Sequence, residues 1–406
     1  MNCLPSIRKD PGRAVALLAS SSGLFAYLHL EGASTTGAAA VAIALLLLGT
    51  FVWMRETAVF GDEPARAKPK KSTFDWGMHY MRGFAIVCIM LMHVQARLGH
   101  RGLTRSFFSA STVFFLFISG YLCQYLALKK PVVDRDYYSK KVLNVILPYL
   151  LCSLVTMFLV WLTGRERVGV MSPGDIGASG IARALVLGKA QDPYWYIPFV
   201  TVLFAISPVL TRLSLPALVW CTIVAFFASL VFPSRCSSFL SFSIVVSGSK
   251  FTFFTVYYLI GFLYARLKEQ IDPHLKTYAI PALLFAFILG LHSLRPGLFP
   301  MPVLETDTFK TLQKLFFLIP VLFVAGLLKH RRIRILDAFA EYSFTLFFLH
   351  YFFVQDYVAL QSRLAGQIPR SILDPVLIVL FIGQNLVLSA LLKKAFGRWS
   401  RSLIGS

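Results

Sequence analysis

The chain has 406 residues, of which 57% are hydrophobic and only 15% charged, with a mean hydropathy of +0.68. A soluble domain would carry nearer 25% charged residues, so the composition excludes an ordinary water-soluble enzyme and predicts an integral membrane protein. Net charge is +21, from 40 Lys and Arg against 19 Asp and Glu. Those basic residues cluster in short connections between apolar runs, a pattern that orients membrane proteins and argues against nucleic-acid binding.

Six cysteines (Cys3, Cys88, Cys123, Cys152, Cys221 and Cys236) show neither CxxC nor metal-ligand spacing. Neither a disulfide framework nor a metal site is expected.

The first apolar run, Ala14 to Leu30, follows Arg8, Lys9 and Arg13, and a second, Gly37 to Met54, comes after a short EGASTT link. The pair reads as a transmembrane hairpin, the competing reading being a signal peptide cleaved near Ala33. Polar, basic residues Arg55 to Ser72 then form a cytoplasmic linker. Residues 1–72 are thus one unit, residues 73–396 a membrane domain, and residues 397–406 a short cytoplasmic tail.

Ten further spans are expected over Trp76–Ala96, Phe107–Leu128, Val142–Thr163, Tyr194–Thr211, Leu215–Phe232, Phe251–Leu267, Tyr278–Leu294, Leu312–Leu328, Ala340–Val358 and Pro375–Leu392. The fold class is therefore all-α, a polytopic bundle of about 12 helices. With both termini inside, the loops KKPVVDRDYYSKK and KHRRIR and the tail KKAFGRWSR fall on the cytoplasmic side, as the positive-inside rule prefers. One short connection disagrees. Arg97, Arg101 and Arg105 fall outside, which marks either a functional cluster or an error in sidedness, and we favour the cluster.

The span FDWGMHYMRGFAIVCIMLMHV, Phe74 to Val94, carries Arg82 near its start and His93 near its end. Ionisable side chains inside a membrane are costly and mark functional sites. Eleven residues at about 100° each bring the pair within about 20° of three full turns, roughly 16 Å apart along one helix face. The bland alternative has each residue reaching for its nearest interface.

These residues resemble the acyltransferase-3 family of membrane acyltransferases. Arg82-Gly83 followed by His93 looks like its first-helix signature. FFLFISGYL (Phe114 to Leu122), YYLIGFL (Tyr257 to Leu263) and YSFTLFFLH (Tyr342 to His350) look like three later helices in order. The likeness spans about Phe74 to Phe396 and implies a ten-helix core preceded here by two extra spans. One departure stands out. Where the family carries paired Arg before its third helix, this chain has Lys140, Lys141 and Asn144, with Pro148 beyond, and Lys lacks the guanidinium's bidentate fork.

The resemblance implies an inner-membrane enzyme, a glycan O-acetyltransferase in type. It would use acetyl-CoA as donor and a cell-surface or exported polysaccharide as acceptor, alongside membrane lipid and partners in polysaccharide biosynthesis. Arg82, Lys140 and Lys141 suit the donor's phosphates. His93 suits general-base activation of a sugar hydroxyl. Ser119 either orients the acyl group or bonds back to its own helix. His350 takes a catalytic, positioning role, the plain alternative being a histidine satisfied within the core. Asp192, Tyr194 and Trp195 suit a sugar acceptor, or else the aromatics form an interfacial belt. Two rival functions are a twelve-span exporter of a glycan, which an internal repeat would favour, and a glycan-binding scaffold without turnover.

Overall fold

The computed structural model describes residues 74–99, 102–129, 134–164, 170–231, 248–294 and 306–405. The two expected N-terminal spans, the linker before Thr73, and Arg101 lie outside these residues. Regular structure among the described residues is helical, apart from isolated bridges at Val170–Gln191 and Ala365–Ile368. Seven of the helices are long and apolar enough to cross a membrane.

Helix α1 (Trp76–Arg97) is the central element, with buried residues on every side. Asp75 caps its start, where the side-chain Oδ1 accepts the Met78 amide at 3.1 Å. The other oxygen, Oδ2, takes Lys268 Nζ at 2.7 Å and the Tyr121 hydroxyl at 2.9 Å. Burial pushes the Asp75 carboxyl up, but the Lys268 bond and charge, the Met78 amide and Tyr121 together hold it below the ordinary carboxylate range. A depressed folded-state pKa stabilises the fold above the unfolded value, about 3.9, and that contribution disappears as pH falls through the lowered value. Asp75→Asn should therefore lower the thermal midpoint at pH 7, with the gap from wild type narrowing as pH falls below about 4. A gap independent of pH would show that the Asp75 charge contributes nothing.

The chain then runs through α2 (Leu103–Phe108), α3 (Thr112–Lys129) and α4 (Asp134–Lys141). A π-helical turn at Val142–Ile146 joins α4 to α5 (Leu147–Thr163). Pro148 explains that turn: it has no amide to offer Asn144 and its ring crowds that carbonyl, so the backbone widens there. Next come α6 (Ala178–Leu187), a short 3-10 turn at Asp192–Trp195, α7 (Tyr196–Arg212) and α8 (Leu215–Val231).

Helix α9 (Gly248–Leu294) covers two of the expected spans in one run of 47 residues. It cannot be straight. The Tyr257 hydroxyl donates to the Thr311 carbonyl at 2.9 Å, while the His292 ring lies 4.0 Å from the ring of Phe309. Residues 257 and 292 would stand roughly 52 Å apart in a straight helix, yet both touch the first turns of one neighbour. The run therefore doubles back in the polar stretch around Pro273, whose ring breaks the helical ladder. Both expected passes exist; the connection between them is helical.

Helices α10 (Thr306–Leu328), α11 (Arg334–Glu341), α12 (Ser343–Leu364) and α13 (Arg370–Phe396) complete the bundle. Residues 397–405, expected as a tail, pack against it: α14 (Ser400–Ile404) has Ser400 and Ile404 buried, and the Ile404 carbonyl accepts from Thr345 at 3.1 Å. Small residues set the closest approaches. A Cβ on Gly120 would stand 2.1 Å from the Tyr258 carbonyl oxygen, and one on Gly261 2.2 Å from that of Phe117, so α3 and α9 meet backbone to backbone.

Helices α1 and α12 lie side by side in parallel. Arg82 meets Ala340 just before α12, His93 meets His350, and Leu98 meets Gln361. This register defines two ends of the bundle. The Arg82 end holds Asp75, the reversal of α9, the α10–α11 connection and residues 397–405, and the His93 end holds Asp192.

Candidate active site

Arg82 and His93 do share a face, the one turned towards the α11–α12 run. At one end of that face the His93 ring lies 5.2 Å from the ring of His350 and 5.2 Å from that of Tyr351, the latter edge-on. His350 is completely buried. Its Nδ1 pairs with the Leu346 carbonyl at 2.9 Å, and a carbonyl only accepts, so Nδ1 carries the proton. Nε2 then holds a lone pair, buried and without a hydrogen-bond partner. A second proton there would leave an unpaired donor in the core, so His350 sits as a neutral acceptor beside His93. No described residue bonds either ring nitrogen of His93.

One helical turn beyond His93, Arg97 reaches across to two other elements. Its Nη2 donates to the Tyr351 hydroxyl at 2.6 Å and to the Asp192 carboxylate at 3.1 Å, while the Tyr351 hydroxyl donates to the same carboxylate oxygen at 2.8 Å. The triangle fixes the proton direction of Tyr351 and holds Arg97 and Asp192 in register. Both stay accessible, with 29% and 54% of their side chains exposed. Arg97, at the edge of the connection that disagreed with the positive-inside rule, therefore lies beside the His93–His350–Tyr351 cluster. Arg105 is exposed on α2.

Arg82 sits at the opposite end of the face. Its Nε and Nη2 both donate to the Ala340 carbonyl, at 3.1 and 2.8 Å, which ties α1 to the α11–α12 turn. Lys140 and Lys141 separate: Lys140 is exposed, whereas Lys141 turns inward, its Nζ 3.9 Å above the ring of Phe204 and 5.3 Å from that of Tyr137. Ser119 lies near the buried Tyr196.

The aromatic residues after Pro193, expected at the acceptor side, turn towards the bundle. Tyr194 is completely buried and its hydroxyl donates to the Phe348 carbonyl at 3.0 Å, so neither ring face is open to a sugar. Trp195 packs 5.0 Å from the ring of Phe254 and 6.2 Å from that of Phe199. The 3-10 turn at Asp192–Trp195 leads straight into α7, so Tyr194 points into the bundle, Trp195 is half-buried against it and Asp192 is exposed. Tyr351 and Arg97 are the side chains that meet Asp192. The sequence held a signal for each: Arg97 follows His93 by four residues, hence on the same helix side, and Tyr351 adjoins His350. Among the described residues no group of three or more His, Cys, Asp or Glu side chains is arranged to hold a metal ion.

A membrane-spanning helical bundle with a buried histidine pair at one end and basic side chains at the other fits a membrane-embedded group-transfer protein. A family model for an acyltransferase domain, that of the acyltransferase-3 family, matches residues 75–394. The chain belongs to that family and is a multi-pass membrane acyltransferase. Comparison with curated proteins and with solved structures yields no match.

Proposed function

We propose that the protein transfers an acyl group, acetyl in the first instance, from cytoplasmic acyl-CoA to a hydroxyl of a cell-surface or exported polysaccharide, from a site in the inner membrane. The observation that carries this reading is the His93–His350 pair, set beside Tyr351 and the Arg97–Asp192 contact, whose side chains reach the surface. Positive-inside bias puts the Arg82 end, with Lys329, Arg331, Arg332, Arg334, Lys393 and Lys394 beside it, in the cytoplasm. Donor and acceptor then approach from opposite faces.

In this reading Arg82 and the inward Lys141 attract the donor's phosphates, and Lys140 serves as an outer electrostatic guide. Ser119, on the helix between the two ends, lies along the course of the acyl arm. His93 removes the proton of the acceptor hydroxyl as its oxygen attacks the thioester carbonyl. The tetrahedral intermediate then collapses, the carbon–sulfur bond breaks, and the proton passes from His93 to the departing thiolate. The buried His350 lone pair accepts a hydrogen bond from His93 and so orients its ring. Asp192 and Arg97, held side by side, offer an acceptor and donors to a polyhydroxyl ligand, in which each hydroxyl plays both parts.

Proteoliposomes of the full chain, given labelled acetyl-CoA and a panel of extracted cell-envelope glycans, test the proposal. The expected product is a labelled glycan ester that mild base releases. Label that stays on the donor with every glycan, and with longer acyl-CoA species as well, would overturn it.

A further inference from the structure

The second pass of the core is not a continuous helix. Residues Thr104–Lys129 are apolar enough for a single span, yet α2 stops at Phe108 and α3 starts at Thr112. Between them Ser109 is extended and Ala110 has φ +56°, a left-handed conformation that costs a residue with a Cβ about 1 kcal/mol or more. The break lies near mid-membrane: Ser111 lies beside Cys88, midway between Arg82 and His93, and Phe114 stacks edge-on with Phe84.

A helix broken at this depth frees carbonyls that lipid cannot satisfy. The Ser111 hydroxyl and amide take the Phe108 carbonyl, and the Ser109 hydroxyl takes that of Ser106. The remaining one is met from another helix. Lys314 of α10 is completely buried, and its Nζ donates to the Phe107 carbonyl and, at 3.2 Å, to the Ser106 carbonyl. Its neighbour Gln313 donates to the Ser106 hydroxyl at 3.3 Å. No carboxylate is paired with Lys314 among the described residues. An intramembrane lysine whose partners are two carbonyls at a helix break has a task tied to that break.

We propose that Lys314 is a positioning residue that keeps this break open. By capping the last turn of α2 it holds residues 102–111 folded against the bundle, a stretch that follows Arg97 by only a few residues in the chain. The amine thus acts on the His93 site through the backbone that carries Arg97, without touching substrate. The structural half of the inference stands alone; the effect on transfer rests on the proposed function.

Amide hydrogen exchange on the full chain in lipid nanodiscs, read by mass spectrometry, tests the clamp. Lys314→Met keeps the length and removes the donor; it should speed exchange across residues 103–112 by about tenfold or more while α3 beyond Phe114 and α12 stay at wild-type rates. Lys314→Gln, a shorter donor, should fall between the two, and it carries the comparison should the methionine variant not fold. Unchanged exchange at residues 103–112, an acceleration spread evenly through the bundle, or failure of both variants to fold would each overturn the proposal. In the labelled acetyl-CoA assay the variant should lose turnover with its KM for acetyl-CoA unaltered. A wild type that transfers no label counts against the proposed activity and leaves the exchange result standing.

Discussion

Replacing His93 by alanine is expected to reduce acyl transfer by about 10²- to 10⁴-fold, the usual contribution of a positioned general base. That range corresponds to roughly 3–5 kcal/mol of barrier. The variant should still insert and elute as the wild type does. The loss follows from the geometry: His93 is the imidazole of the pair whose ring nitrogens no described residue engages, whereas the His350 Nδ1 proton is committed to the Leu346 carbonyl. His350 cannot readily substitute, because its Nε2 is sealed in the core. Transfer within twofold of wild type would remove His93 from the chemistry. Joint loss of transfer and monodisperse protein would give it only a packing role, against His350 and Tyr351.

The largest expected effect on stability is at Gly120. Its Cβ position lies 2.1 Å from the Tyr258 carbonyl oxygen and 3.0 Å from the carbonyl carbon, atoms of a backbone that cannot rotate aside. Overpacking a core typically costs 1–3 kcal/mol, and the upper end or beyond applies where backbone must move, so Gly120→Val should cost at least about 3 kcal/mol. Thermal unfolding in detergent would show it as a markedly lowered midpoint, or the protein would not be recovered folded. Gly261→Val, on the facing helix, should behave alike, since its Cβ would meet the Phe117 carbonyl oxygen at 2.2 Å. A midpoint within a few degrees of wild type would mean that the two helices can separate at little cost.

Sequence and structure agree best where the signal is long and local. Apolar runs of membrane-spanning length place the described spans of the core near their observed positions, and the spacing of Arg82 and His93 puts them on one face. Disagreement appears wherever direction around a helix axis matters. Lys140 and Lys141 are adjacent in a basic loop, and only the tertiary structure turns Lys141 against Phe204 and leaves Lys140 exposed. Tyr194 has the composition of an interfacial belt, yet its hydroxyl is bonded to the Phe348 carbonyl inside the bundle.

What the sequence by itself determined is the class: a membrane-embedded all-α bundle, its basic connections, and a histidine-bearing helix of acyltransferase-3 type. The tertiary structure decided which residues meet that helix. In a soluble helix the apolar face points inward, so periodicity reveals direction. In a bilayer, lipid-facing and protein-facing surfaces are both apolar, and that signal vanishes. The pairing of His93 with His350, the Arg97–Tyr351–Asp192 triangle and the Lys314 clamp each join residues more than ninety positions apart. Such contacts depend on how neighbouring helices are stacked, and no run of residues within one helix records it.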